Sequence, residues 1–242
     1  MKLEYIWIDS DGKLRSKTKI TQNSISTVED VPCWNYDGSS TGQATGDNSE
    51  VLLKPCSIYP DPFRKSEISF LVMCDTWTDN NTPHPTNTRV KAKEIFDKNL
   101  DAKPMFGIEQ EFFLTQHNKP IGMPTKDGTF PKPQGDYYCG CGNDNIFGRR
   151  CIEDMINNCE YAGLSLTGMN SEVAPSQWEI QVCDIGISLC DQVYVMRYIM
   201  SRTAELYDWD VSLDPKPLSG DWNGSGCHTN FSTLKMREDG GL

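Results

Sequence analysis

No apolar run in this 242-residue chain approaches the ~20 residues that a bilayer-spanning helix needs, which excludes an integral helical membrane protein. The N-terminus, MKLEYIWIDSDGKL, carries charge throughout and lacks both the apolar stretch and the small-residue cleavage site of a secretory signal. Basic residues are scarce: 23 Lys and Arg stand against 34 Asp and Glu, a formal net charge of −11 at pH 7. That balance argues against non-specific binding to nucleic acid or to an anionic membrane, and it suits a protein that gathers carboxylates around cations. Ten cysteines are present without a single C-x-x-C pair, and Cys139 and Cys141 stand too close together for the usual zinc spacing. Reduced thiols in a cytoplasmic protein are therefore expected, several of them as small core residues. There is no internal repeat and no low-complexity tail.

What is present reads as α+β. Residues 3–9 and 13–21 are strand-like runs around the turn Ser10-Asp11-Gly12, and further strands are expected at 31–36, 51–53 and 69–77. Between two of these lies the polar, glycine-rich run Asp37–Ser49. A solvated linker is one reading of it. A long loop inside a domain is more often functional, and that reading is preferred. The turn formers and prolines of residues 80–87 suggest a domain boundary. After them Asn87 or Thr88 can cap a helix whose apolar positions, Val90, Ala92, Ile95 and Phe96, fall near one face. Helices are also expected over 148–162, closed by Gly163, and over 188–207, opened by Ser188.

Three segments carry chemistry. In Phe106–Leu114 the apolar flanks indicate a strand, so Glu109 and Glu111 share one face about 6–7 Å apart at Cα. Two like charges in an apolar strand repel, and a bound cation removes that penalty. In Asn170–Gln181, Pro175 interrupts regular pairing, and Glu179 and Gln181 share a face of the strand that follows; Glu172 and Glu179 can converge across the turn. In Asn223–Ser232, His228, Asn230 and Ser232 alternate along a strand after a glycine-rich approach that lets backbone come close to a ligand. His84 and His117 lie in turn-like segments and carry no functional expectation. Four glutamates and one imidazole are ligands for Mg²⁺ or Mn²⁺, and five exceed what one Mg²⁺ takes from protein, so two or more ions are expected. Such a centre fits metal-dependent phosphoryl transfer.

The same segments resemble the glutamine synthetase family, in its shorter eukaryotic form. The matching motifs are WNYDGSSTGQA (34–44), DPFRK (61–65), FGIEQEF (106–112), PQGDYYCG (133–140), NSEVAPSQWEIQ (170–181) and DPKPLSGDWNGSGCHTNFST (214–233), in family order. The resemblance implies a small β-grasp domain over 1–82 and a catalytic α+β domain over 83–242, an antiparallel sheet flanked by helices. It implies ATP-dependent joining of ammonia to L-glutamate through γ-glutamyl phosphate. Glu111, Glu172 and Glu179 would hold the metal nearer glutamate, and Glu109 and His228 the one nearer ATP. Trp222, Asn223 and Gly224 would bind glutamate. Gln181, Asn230, Ser232 and Arg237, with Glu109 and Glu179, would line the nucleotide site. Asp37 and Ser40 match a loop lent by a neighbouring subunit, with Asp37 assisting ammonium, and Asp37, Ser40 and Glu172 are the catalytic candidates. A homo-oligomeric ring with sites between subunits follows. Met105 stands where many relatives have tryptophan, and Val182-Cys183-Asp184 replaces a frequent glycine-proline pair. The family's last third has no counterpart in these residues. The alternative expectation is accordingly a catalytically inactive subunit that assembles with full-length rings.

Overall fold

Alternating apolar residues at the N-terminus build the first sheet of this computed structural model, which describes residues 1–124, 128–129 and 131–241. Strand β1 (Lys2–Ile8) pairs antiparallel with β2 (Leu14–Ile20) around the expected turn, where Gly12 takes φ +77°. The Asp9 carboxylate fixes that turn by accepting the Asp11 and Lys13 N–H groups, each at 2.9 Å, and Arg15 Nε at 2.7 Å. Strands β3 (Trp34–Asp37), β4 (Glu50–Pro60) and β5 (Ser69–Thr78) complete a five-stranded sheet of order β2-β1-β5-β4-β3, in which only β1 and β5 run parallel. One face buries Leu3, Tyr5, Trp7, Leu53 and Val72. The other holds a buried ionic cluster: Arg64 lies 3.0 Å from Glu4 and 2.6 Å from Asp61, whose carboxylate also accepts Ser69 Oγ at 3.0 Å.

Two expectations are corrected here. The strand expected at 51–53 runs on to Pro60: Pro55 keeps its place opposite Cys74, and Cys56 is the extra residue of a bulge before Ser57 resumes pairing with Met73. Residues 37–49 are not a structureless loop. Asp37 caps a 3-10 helix over Gly38–Thr41, and Gly38 N–H donates to Ser49 O at 2.7 Å. Gln43 then pins the segment by donating to Ile8 O at 3.1 Å and to Thr86 Oγ1 at 3.0 Å.

Helix α1 (Arg89–Asp97) starts after Thr88 as expected, but no residue of it is buried and Ile95 is 55% exposed. Of its expected apolar face, Val90, Ala92 and Phe96 are half-buried and Ile95 is exposed. His84 is buried, with its ring nitrogens 2.6 Å from Gln43 O and 2.8 Å from Thr86 Oγ1, a satisfied structural residue. The second sheet is antiparallel. It is built on β6 (Met105–Gln116), with β7 (Lys119–Pro120), β8 (Leu166–Ser171), β9 (Gln177–Ile185), β10 (Asp210–Ser212) and β11 (Cys227–Ser232). Helix α2 (Arg149–Tyr161) buries Cys151, Ile152, Met155 and Cys159 and gives way to Gly163 at φ +77°. Helix α3 (Ile187–Glu205) completes the set. All ten cysteines are free, and Cys74, Cys151 and Cys159 are buried as the sequence suggested. No helix among the described residues is long and apolar enough to cross a membrane.

Two units divide the chain. One comprises Met1–Lys103 with Tyr161–Gly163 and Gly186–Val195; the other comprises Pro104–Glu160, Leu164–Ile185 and Met196–Leu242.

Candidate metal centre

In the second unit, register decides which carboxylates meet. Antiparallel pairing sets Glu111 of β6 opposite Glu179 of β9 and Glu109 opposite Gln181, and the other edge of β6 sets His228 of β11 opposite Glu109. Glu172 follows β8 by one residue, and its N–H donates to Gln177 O at 2.8 Å, closing the turn that carries Pro175. The result is a trio: oxygens of Glu111, Glu172 and Glu179 all lie within 4.8 Å of one another, and all three residues are buried. Burial first, and then the Glu111 and Glu179 charges, push the Glu172 carboxyl above its ordinary value.

The trio's hydrogen-bond donors are neutral. Glu111 accepts Gly226 N–H at 2.9 Å and Gln177 Nε2 at 3.4 Å; Glu172 accepts Asn170 Nδ2 at 2.9 Å and Val173 N–H at 3.2 Å; Glu179 accepts Gln181 Nε2 at 2.6 Å. No Lys or Arg of the described residues forms an ion pair with any of the three. Buried carboxylates without a counter-charge are costly, and a hard divalent cation is the group that this oxygen set fits.

Glu109 and His228 form a separate pair beside the trio, with His228 Nδ1 3.6 Å from Glu109 Oε2. Asn230 Nδ2 donates to Glu109 Oε1 at 2.7 Å. His228 is well exposed. Gly226 joins the two groups: a Cβ there would lie 3.6 Å from His228 Nε2 and 4.0 Å from Glu111 Oε1.

The glycine-rich loop before β11 is tied to the trio through Gln177. Its amide donates to Gly224 O at 2.9 Å and accepts Asn223 Nδ2 at 3.1 Å and Ala174 N–H at 3.1 Å. Gly224 admits no side chain, because a Cβ would meet Pro215 O at 2.7 Å. Trp222 presents its carbonyl to Lys216 Nζ. Farther along, Arg237 Nη1 donates to Ser232 O at 2.9 Å and to Ser232 Oγ at 2.8 Å. Asp37 and Ser40 belong to the first unit, where both are exposed. Asp37 accepts Ser39 Oγ at 2.6 Å and Ser39 N–H at 3.0 Å, and these bonds hold its carboxyl below the usual range.

Sequence reasoning overlooked Gln177, Asn170 and the Gly226 N–H. Gln177 was within reach, because it stands two residues before Glu179 and shares its face of β9. Gly226 was signalled only as part of the glycine-rich approach to β11; that its N–H meets Glu111 depends on a neighbouring strand and could not be read.

A mixed five-stranded sheet followed by an antiparallel sheet bearing a buried acidic trio defines an α+β class with a candidate cation site. Residues 1–79 match the family model described as the glutamine synthetase β-grasp domain, and residues 86–240 match that described as its catalytic domain. The chain belongs to the glutamine synthetase family. It is 48% identical over 242 residues to a glutamine synthetase of Kluyveromyces lactis, covering 99% of this chain and 64% of that one. It is 50% identical to the chloroplastic/mitochondrial glutamine synthetase of Arabidopsis thaliana, covering 99% of this chain and 56% of that one. It is also 50% identical to a cytosolic isozyme of Daucus carota, covering 99% and 68%. The chain thus spans less than two thirds of the length of the first two relatives. A solved structure described as a GmaS/ADP complex superposes with a TM-score of 0.73 at 20% identity, covering 96% of this chain and 53% of that one, a likeness of fold.

Proposed function

We propose that this chain carries the acidic half-site of an ATP-dependent ligase that joins ammonia to L-glutamate, giving L-glutamine through γ-glutamyl phosphate. The observation behind it is the buried trio of Glu111, Glu172 and Glu179, without a counter-charge among the described residues, in a chain of this family. Glu111, Glu172 and Glu179 would hold one Mg²⁺ or Mn²⁺, and Glu109 with His228 a second. Bound there, the cations would neutralise phosphate charge during transfer.

The chain's own residues have distinct tasks in this reading. A carboxylate oxygen is a poor leaving group; its attack on the γ-phosphorus of ATP expels ADP and makes an acyl phosphate, from which ammonia then displaces phosphate. Trp222, Asn223 and Gly224 bind glutamate, and Gln177 holds their loop against Glu111. Gln181, Asn230, Ser232 and Arg237 line the nucleotide site. Asp37, kept ionised by its Ser39 bonds, attracts ammonium and takes its proton, with Ser40 in the 3-10 helix that Asp37 caps. Sites shared between subunits of a homo-oligomeric ring belong to this reading, as do domains meeting near residue 82. So does a cytoplasmic setting, in keeping with the Daucus carota relative named a cytosolic isozyme.

The test is formation of γ-glutamyl hydroxamate from glutamate, hydroxylamine and ATP, with the C-terminal portion of the Kluyveromyces lactis relative fused to the chain. Product that requires Mg²⁺ or Mn²⁺ and disappears in Glu109→Ala is expected. Product no greater than that of the Glu109→Ala control overturns the reading and leaves the non-catalytic subunit in its place.

A further inference from the structure

The turn at residues 37–44 presents Asp37 and Ser40 to solvent, and a closed ring of hydrogen bonds built on His84 holds it from behind. Every member of that ring belongs to the first unit.

The Thr86 backbone N–H lies 3.2 Å from His84 Nδ1 and can only donate, so Nδ1 accepts and the ring proton sits on Nε2. Nε2 then donates to Gln43 O at 2.6 Å. Thr86 Oγ1 accepts Gln43 Nε2 at 3.0 Å and turns its own proton to Nδ1 at 2.8 Å. The circuit leaves Gln43 through its backbone carbonyl, crosses the imidazole and the hydroxyl, and returns to the same residue's side-chain amide. Gln43 is 6% exposed and His84 9%.

The other polar groups of Gln43 face the turn. Its N–H donates to Gly38 O at 2.8 Å, and its Oε1 accepts Tyr36 Oη at 2.7 Å and Thr41 Oγ1 at 2.9 Å. Ala44 N–H donates to Gly38 O as well, at 3.2 Å. The chain is packed down so closely here that a Cβ on Gly38 would meet Val51 Cγ2 at 2.5 Å and Ala44 Cβ at 2.9 Å. Gly38 is the neighbour of Asp37 and lies two residues before Ser40, so the orientation of Gln43 sets where that carboxylate and that hydroxyl stand. An apolar side chain at position 84 could fill the space, but it would leave the buried Gln43 carbonyl without its imidazole donor.

We propose that His84 is a positioning residue: through Gln43 it holds the 37–44 turn in the form that offers Asp37 and Ser40 to ammonia. The identity of ammonia rests on the ligase reading, whereas the latch itself does not.

Hydrogen exchange of the full chain in saturating Mg²⁺, at about pH 8 where a free imidazole is neutral, reads the latch. In His84→Leu the amides of residues 38–44 should exchange about tenfold faster, the effect of one buried hydrogen bond lost, while those of β8 and β9 keep their rates. His84→Gln, whose amide nitrogen reaches the place of Nε2, should restore slow exchange. Should His84→Leu fail to fold, Thr86→Val takes its place, because it opens the same ring at the hydroxyl and should accelerate the same amides. With the C-terminal portion of the Kluyveromyces lactis relative fused to the chain, the disrupting variant should raise KM for ammonia about tenfold and leave KM for ATP within twofold. Partial unfolding would lower kcat and move neither KM. Unchanged exchange at 38–44, acceleration shared equally with β8 and β9, no rescue by His84→Gln, or an ammonia KM that does not rise would each overturn the proposal. An inactive fusion of the native chain would overturn the ligase reading and the role toward ammonia together, and faster exchange at 38–44 would then still support the latch.

Discussion

Glu172→Gln should make the metal-free protein more stable while removing its response to metal. At an effective dielectric constant of ~20, two unit charges 4.8 Å apart repel by roughly 3.5 kcal/mol, and Glu172 faces two such neighbours. Partial protonation already relieves some of this, because the Glu172 carboxyl is pushed up. Glutamine keeps an acceptor for Asn170 but loses the bond from Val173 N–H, at about 1 kcal/mol. The net gain should be roughly 1–3 kcal/mol at pH 7, or about 2–10 °C in Tm for a chain of this size. The assay is calorimetric melting of both proteins in EDTA and in 10 mM Mn²⁺. The native chain should melt lower than the variant in EDTA and rise strongly with Mn²⁺, since a ligand that binds only the folded state stabilises it. The variant should rise much less, so the order of the two curves reverses. A variant that melts lower in EDTA, or an unchanged Mn²⁺ response, would refute the claim that these carboxylates repel one another and are relieved by a cation.

Other outcomes follow from the same structure. Arg64→Ala leaves Glu4 and Asp61 buried without their cation and should cost about 3–5 kcal/mol, read as a Tm drop of roughly 6–20 °C. Burial raises the Glu4 carboxyl, but Thr18, Ser16 and Arg64 together pull it below its ordinary 4.5. A depressed carboxyl stabilises the fold above the unfolded value and loses that contribution as pH falls through the folded value. The Arg64→Ala deficit should therefore shrink in melts below pH 4.5. Gln177→Ala removes the bridge from Glu111 to Gly224 and leaves buried polar groups unpaired; about 2–4 kcal/mol of destabilisation by urea unfolding is expected. A loss within 0.5 kcal/mol would show the bridge to be incidental.

Much of the fold was legible because periodicity and punctuation agreed. The β1–β2 hairpin and α2 have strand or helical spacing with glycine at turn or stop, and β5 is a short continuous apolar run. Strand β4 was only half legible: Pro55 reads as a breaker, and the bulge that follows it at Cys56 is created by pairing with β5. Strand β8, LTGMNS, has too few apolar residues to read as a strand and exists because β9 supplies its partner. At the site, the two-residue rule placed Glu109 with Glu111 and Glu179 with Gln181. It could not place Glu111 opposite Glu179, because register between strands so distant in sequence is set by the whole sheet. The Arg89–Asp191 pair, separated by 102 residues, was invisible for the same reason.

Strand β6 pairs with β7, β9, β10 and β11, so four ladders read their alignment from one stretch of twelve residues. Deleting a single residue there would rotate Gln110 into the row of acids and swing both glutamates to the opposite side. Point substitutions along β6 cost what each side chain contributes, whereas a frame slip there removes Glu109 and Glu111 from the candidate site together. Length in this segment should therefore be invariant where composition is not, a constraint that engineered insertions and loop grafts must respect.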